Sequence, residues 1–139
     1  MAGRRDRARR WLPAAAAAVV GLLAAGTIGC AAGGAGRPAR VPLEAIAVRA
    51  IDPAVRAQAD VVAHLWGIEV KLTATGFRPG ESYAVTVTDD AGRTVGAGEF
   101  IGTGDEEMRC NLNSSVLRAD ASAVTVTGPD GAVVLDAVV

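Results

Sequence analysis

From residue 56 to the C-terminus, apolar residues recur at nearly every second position, and this period most narrows the folds open to the chain. Arg56, Gln58, Asp60 and His64 alternate with Ala57, Ala59, Val61, Ala63 and Leu65. A helix would scatter those polar residues around its circumference, whereas a strand gathers them on one face. After Trp66-Gly67, Ile68, Val70, Leu72 and Ala74 alternate with Glu69, Lys71, Thr73 and Thr75. Pro79-Gly80 breaks the chain, and Tyr83, Val85 and Val87 then alternate with Ser82, Ala84, Thr86 and Thr88. Asp90-Ala91-Gly92 signals a turn before a strand at residues 93–101, where Gly96 and Gly98 predict a bulge or bend. Met108, Cys110 and Leu112 alternate with Arg109, Asn111 and Asn113, and Asn113-Ser114-Ser115 reads as the capped start of a single turn through Leu117. Val124 and Val126 alternate with Thr125 and Thr127, Pro129-Asp130-Gly131 is a hairpin turn, and residues 132–139 close the pattern. Residues 43–51 are apolar and β-branched enough for one more strand. The expectation is an all-β fold, an immunoglobulin-like sandwich of seven or eight short antiparallel strands after an N-terminal signal segment. With half the residues hydrophobic but only 4% aromatic, its core must come from Val, Ala, Leu and Ile.

The N-terminus reads as an address. Arg4, Arg5, Arg7, Arg9 and Arg10 outweigh Asp6, residues 11–28 are largely apolar, and the run closes on Gly26-Thr27-Ile28-Gly29-Cys30. A positive segment, an apolar stretch and small residues at its end make an export signal. Gly29-Cys30 resembles the end of bacterial lipoprotein signals, in which the cysteine thiol receives diacylglycerol and the chain is cut before it. The branched residue usual three places upstream is Thr27 here. The expected organisation is a lipoprotein signal peptide at 1–29, lipidated Cys30 and a flexible tether at 30–43, and the β domain at 44–139. Residues 31–43, rich in Gly and Pro, have a reach of about 20 Å. The expected location is the outer face of the cell membrane, held by lipid. The alternative is a single N-terminal signal anchor, since about eighteen apolar residues just cross a bilayer. In either case the arginine-rich end stays inside and the domain lies outside the cytoplasm.

Charge and chemistry narrow the function. Removing residues 1–29 leaves 9 of the 14 Lys/Arg and 14 of the 15 Asp/Glu, a net charge of 9 − 14 = −5. That domain lacks the basic field that nucleic-acid binding requires, so no nucleic acid is expected as a partner. Two cysteines and one histidine are too few for a structural zinc site, and no cofactor is expected. Cys110 shares its strand face with Met108 and Leu112, which favours a small buried hydrophobe over a redox thiol. His64 lies on one strand face with Asp60, but a histidine and a carboxylate make neither a triad nor a metal site without convergent partners. Asp105-Glu106-Glu107 and Asp89-Asp90 lack the ligand spacing of a calcium loop and read as solvated hairpin tips. Gly102-x-Gly104 lacks the helix and lysine of a phosphate loop. Asn113-Ser114-Ser115 needs no role beyond a turn. Trp66 is expected to plug one end of the sandwich rather than to stack a ligand.

Several segments carry a resemblance: Trp66-Gly67-Ile68-Glu69-Val70-Lys71-Leu72, Gly76-Phe77-Arg78-Pro79-Gly80-Glu81-Ser82-Tyr83, Asp90-Ala91-Gly92, Ala97-Gly98-Glu99-Phe100, Gly102-Thr103-Gly104 and Cys110-Asn111-Leu112-Asn113-Ser114-Ser115-Val116-Leu117-Arg118. Together, over about residues 56–139, they resemble the extracytoplasmic domain of some actinobacterial anti-sigma-factor proteins. The resemblance implies a β-sandwich-like domain at the cell surface and brings no functional residues with it. Residues 1–10 contain no His-x-x-x-Cys-x-x-Cys, so no sigma factor is expected as a partner. The expected function is a membrane-anchored extracytoplasmic lipoprotein with a non-catalytic interaction, sensing or spacer module. Its partners would be the bilayer, through acylated Cys30, and an envelope protein. The alternatives are a small-ligand carrier and a hydrolytic enzyme using His64. Candidate interaction residues sit in predicted loops: Phe77, Arg78, Tyr83, Asp89, Asp90, Asp105 and Asp130.

Overall fold

The alternation is realised as eight antiparallel strands in a computed structural model that describes residues 40–139. The strands are β1 (Glu44–Ala50), β2 (Arg56–His64), β3 (Gly67–Thr75), β4 (Ser82–Asp89), β5 (Thr94–Ile101), β6 (Met108–Ser114), β7 (Ala121–Thr127) and β8 (Val133–Val138). The expected signal peptide at 1–29, Cys30 and tether residues 31–39 lie outside the described residues. Among the described residues there is no helix, and therefore none long and apolar enough to cross a membrane.

The strand order is β5-β4-β7-β8-β1-β2-β3-β6, and every neighbouring pair is antiparallel. β1 is shared between two layers. Glu44, Ala45 and Ile46 pair with Val61, Asp60 and Ala59 of β2, whereas Ala47–Ala50 pair with Val138–Leu135 of β8. The terminal strands β5 and β6 come together, giving a near-closed barrel or sandwich. Between Val85 and Thr86 the β4–β5 register slips, so that Val85 faces Gly98, Thr86 faces Gly96, and Ala97 is the extra residue. This is the bulge that the two glycines predict. A Cβ on Gly98 would lie 3.3 Å from Leu112 of β6, so its absence lets the two strands approach.

One face of each strand lines a single core: Val61, Ile68, Val70, Leu72, Val85, Val87, Leu112, Val124, Val126 and Leu135 are among its members. The tyrosine and both phenylalanines join it as one cluster. Phe77 packs edge-on to Tyr83 and Phe100, with ring centroids 4.7 and 4.9 Å apart, and Tyr83 stacks on Phe100 at 5.5 Å. Around this cluster the β3–β4 and β5–β6 loops are zipped together. Gly76 N–H donates to Gly104 O (2.7 Å), Gly104 N–H to Phe77 O (2.8 Å), Gly80 N–H to Gly102 O (3.0 Å) and Gly102 N–H to Glu81 O (2.9 Å). Gly102 is obligatory, because a Cβ there would stand 2.2 Å from Arg78 O. Cys110 is half-buried against the core, and burial pushes its thiol pKa up, which keeps it protonated and slow to react.

The chain enters the domain at Arg40, and at this near end lie the β2–β3 turn, the β4–β5 turn, the β6–β7 loop and the C-terminus. The β1–β2, β3–β4, β5–β6 and β7–β8 connections lie at the far end. Trp66 does not plug the sandwich. It stands in the two-residue turn between His64 and Gly67, and such a tight turn aims its side chains away from the core, leaving Trp66 55% exposed. The expected helical turn at 113–117 is displaced: β6 runs to Ser114, and the turn forms later, with the Asp120 and Ala121 N–H groups both donating to Leu117 O (3.0 Å each).

Carboxylates pin the strands from outside. Asp136 holds Arg49 through two hydrogen bonds (2.9 and 2.5 Å), and Glu44 holds Arg118 likewise (2.8 and 2.5 Å). Glu69 accepts from Lys71 (2.9 Å) and lies 3.2 Å from His64 Nε2. All three carboxyls are held below their ordinary pKa, first by the hydrogen bonds from Arg49, Arg118 and Lys71 respectively. Because the folded chain binds these protons less readily than the unfolded one, their stabilisation is full above the unfolded carboxylate range, about pH 4, and is lost as pH falls through the lower folded values. The urea midpoint should therefore drop on acidification below about pH 4, and Asp136→Asn should remove part of that dependence. A midpoint flat from neutrality into that range would contradict the assignment. Separately, Phe77→Ala, which opens a cavity at a side chain only 1% exposed, should cost about 3–5 kcal/mol by urea unfolding.

Candidate interaction surface

The far end carries an open groove of about 600 Å³. Three connections build it. The β1–β2 connection is folded back on β8 by hydrogen bonds from the Ile51 and Asp52 N–H groups to Val134 O (3.0 and 3.1 Å), and Asp52 Oδ1 accepts from Ala54 N–H (2.9 Å). The β7–β8 turn is closed by Gly128 N–H to Ala132 O (2.9 Å), and Asp130 Oδ1 accepts from Ala132 N–H (3.1 Å). The β3–β4 loop is fixed from beneath by Tyr83, whose hydroxyl accepts from Arg78 N–H at 3.0 Å. The groove therefore rests on the aromatic cluster. Its lips are Ile51 and Val133, both exposed, and its charged groups are Asp52, Asp130, Glu81 and Arg78. Arg78 is mostly exposed and only 3.8 Å from Glu81, a pairing loose enough for the guanidinium to turn to another partner.

The seven residues expected in interaction loops separate clearly. Arg78 and Asp130 line the groove, and Asp105 is exposed at the same end but outside the groove. Asp90 is exposed at the opposite, near end. Phe77, Tyr83 and Asp89 are withdrawn as contact residues, being only 1%, 4% and 6% exposed. The two rings point inward because Phe77, bridged to Gly104 in the β3–β4 loop, and Tyr83, on the core face of β4, flank the Pro79-Gly80 turn from the core side. Asp89 is a turn clamp. Its Oδ1 accepts from the Ala91 and Arg93 N–H groups (3.1 and 2.8 Å), and its Oδ2 accepts from Arg93 Nε (3.0 Å). Sequence reasoning missed Ile51, Asp52 and Val133. Asp52-Pro53 is a turn signal that could have revealed the first lip, but nothing local shows that it folds beside Pro129-Asp130-Gly131.

His64 is not paired with Asp60; it sits 3.2 Å from Glu69 on the adjacent strand and stacks on Trp66 with the rings 4.5 Å apart and nearly parallel. Among the described residues no three His, Cys, Asp or Glu side chains are grouped as a metal site requires. No family model, curated protein or solved structure matches the chain.

The division between groove and scaffold is measurable. Asp89→Ala removes a buried carboxylate together with its hydrogen bonds from the Ala91 and Arg93 N–H groups, and should cost about 1–3 kcal/mol in urea unfolding. Arg78→Glu, on an exposed side chain, should change stability by about 0.5 kcal/mol or less. Equal losses at the two sites would refute the division.

Proposed function

We propose that this protein is an extracytoplasmic lipoprotein, anchored through acylated Cys30, whose β domain is a non-catalytic interaction module of immunoglobulin-like type. The order of strand pairing supports the finer fold. β3 lies beside β6 and β4 beside β7, so the chain crosses between layers at β3–β4, β5–β6 and β6–β7 in Greek-key fashion, as immunoglobulin-like sandwiches do. The observation that carries the functional reading is polarity: the chain enters at one end of the barrel and the groove opens at the other. The nine residues of β3 span about 30 Å, so a membrane anchor before Arg40 would hold the groove well clear of the bilayer. Open, with apolar lips and charges of both signs, the groove suits an envelope protein surface better than an enclosed small ligand.

Two measurements on whole cells test this. A fatty-acid analogue should label the full chain, and Cys30→Ser should abolish that label; labelling that survives the substitution overturns the anchor. A photo-crosslinking residue placed at position 130 should trap an envelope protein, and Arg78→Glu should weaken the crosslink about tenfold, equivalent to about 1.4 kcal/mol. A crosslink indifferent to Arg78→Glu removes the groove from the interaction.

A further inference from the structure

The near end is built in a way that stability does not explain. Two-residue hairpin turns favour Asn, Asp and Gly, which tolerate the required backbone and face water. Here the β2–β3 turn consists of Leu65 and Trp66, and Leu65 is fully exposed, at 102%. The turn is nevertheless firmly held. Gly67 takes φ 151°, and a Cβ there would stand 2.0 Å from Ser114 O, so the hairpin is pressed against the β6–β7 loop. His64 stacks on the Trp66 ring and is itself hydrogen-bonded to Glu69, which fixes the indole while leaving much of it open. Two further apolar side chains stand exposed at the same end, Leu43 (58%), immediately before β1, and Leu117 (45%), in the β6–β7 loop. The Glu44–Arg118 ion pair joins their two segments, so these side chains belong to one end surface and not to independent tails.

We infer that the Leu65–Trp66 hairpin tip inserts into the outer surface of the lipid bilayer and docks the domain with its groove facing away. The inference rests on the reading of Cys30 as the anchor. Only residues 31–39 separate that cysteine from Arg40, and nine residues of this Gly-rich chain reach about 17 Å. The surface that the tether keeps closest to the membrane is thus the surface carrying Leu65, Trp66, Leu43 and Leu117. The side chains suit that location: indole favours the headgroup boundary, and leucine favours the acyl region below it. Tethering also raises the local concentration of lipid around the tip, so an insertion too weak to hold a free protein becomes persistent.

The mature acylated chain provides the test. Cleavage before Cys30 removes Trp11, so Trp66 is its sole indole. The acylated protein is reconstituted into vesicles of phosphatidylcholine and phosphatidylglycerol, with or without bromine on the acyl chains. Trp66 emission should shift to the blue and be quenched by the bromines. Leu65→Glu should abolish both effects while the protein still floats with the vesicles, because Cys30 is untouched. Leu65→Asn, which suits the turn, should behave the same way and excludes misfolding as the cause. Floating protein with unquenched, water-like Trp66 overturns the docking and leaves the anchor standing. Protein that does not float overturns both. Shielding of Trp66 in native membranes but not in these vesicles assigns the tip to a protein and also overturns lipid docking.

Discussion

The contact among Phe77, Tyr83 and Phe100 is the interaction on which the rest of the structure depends. In a chain so poor in aromatic residues, most of the core consists of valine, alanine, leucine and isoleucine, which fill the space between layers without fixing how those layers meet. The three rings supply that geometry, because edge-to-face packing restricts their relative orientation as well as their separation. Phe77 comes from the β3–β4 loop, Tyr83 from β4 and Phe100 from β5, so one contact ties a loop to the layer it crosses into. The glycine zip above them depends on the same placement. Gly102 can approach Arg78 O only because it has no side chain, and the Tyr83 hydroxyl holds the Arg78 N–H in place.

β1 closes the other side by a different route. Its first three paired residues extend one layer and its last four extend the other, so a single strand bridges the layers with backbone hydrogen bonds. Such a strand buries little: Ile46 and Val48 pack against the core edge while Glu44, Ala45, Ala47, Arg49 and Ala50 remain exposed. Its hold therefore depends on ladder bonds and on the Arg49–Asp136 and Arg118–Glu44 pairs, whose exposed members gain little individually. The barrel is thus closed firmly by aromatic packing at the far end and more lightly, by polar pinning, along β1.

The strands were legible in the sequence because their signal is local. Period-two alternation fixes which residues share a face, and Pro79-Gly80, Asp90-Ala91-Gly92 and Pro129-Asp130-Gly131 fix where the chain turns. Even the β5 bulge could be read, from Gly96 and Gly98. What could not be read is which side a loop-flanking residue faces when its strand has just ended. Phe77 and Tyr83 stand beside a turn and look like display residues, yet the crossing between layers carries both into the core. Asp89 looks like a solvated tip and is a buried clamp, since a carboxylate beside a tight turn finds backbone N–H groups closer than water. The reverse error applies to Trp66: a large aromatic between strands suggests a plug, but its two-residue turn leaves no backbone with which to fold the ring back. The groove was legible only in fragments, as Arg78 and Asp130. Its other lip comes from Ile51 and Asp52, far away in sequence and joined to it only through β8.

The two ends of the barrel therefore differ in the kind of surface they offer, and the difference follows from strand count and connectivity. An even number of antiparallel strands returns the C-terminus to the end at which the chain entered. The near end thus carries the entry at Arg40, the C-terminus, the β2–β3 and β4–β5 hairpin turns and the β6–β7 loop, and the far end carries the β1–β2, β3–β4, β5–β6 and β7–β8 connections. The connections at that end run to five or six residues and can fold against one another, which is how the β1–β2, β3–β4 and β7–β8 segments enclose a groove. The two-residue β2–β3 turn is too short to fold against a neighbour and projects singly, which suits the Leu65–Trp66 tip to entering a soft surface rather than enclosing a ligand. The proposed anchoring and the proposed recognition thus make opposite demands on loop length, and this topology separates them to opposite ends without additional structure.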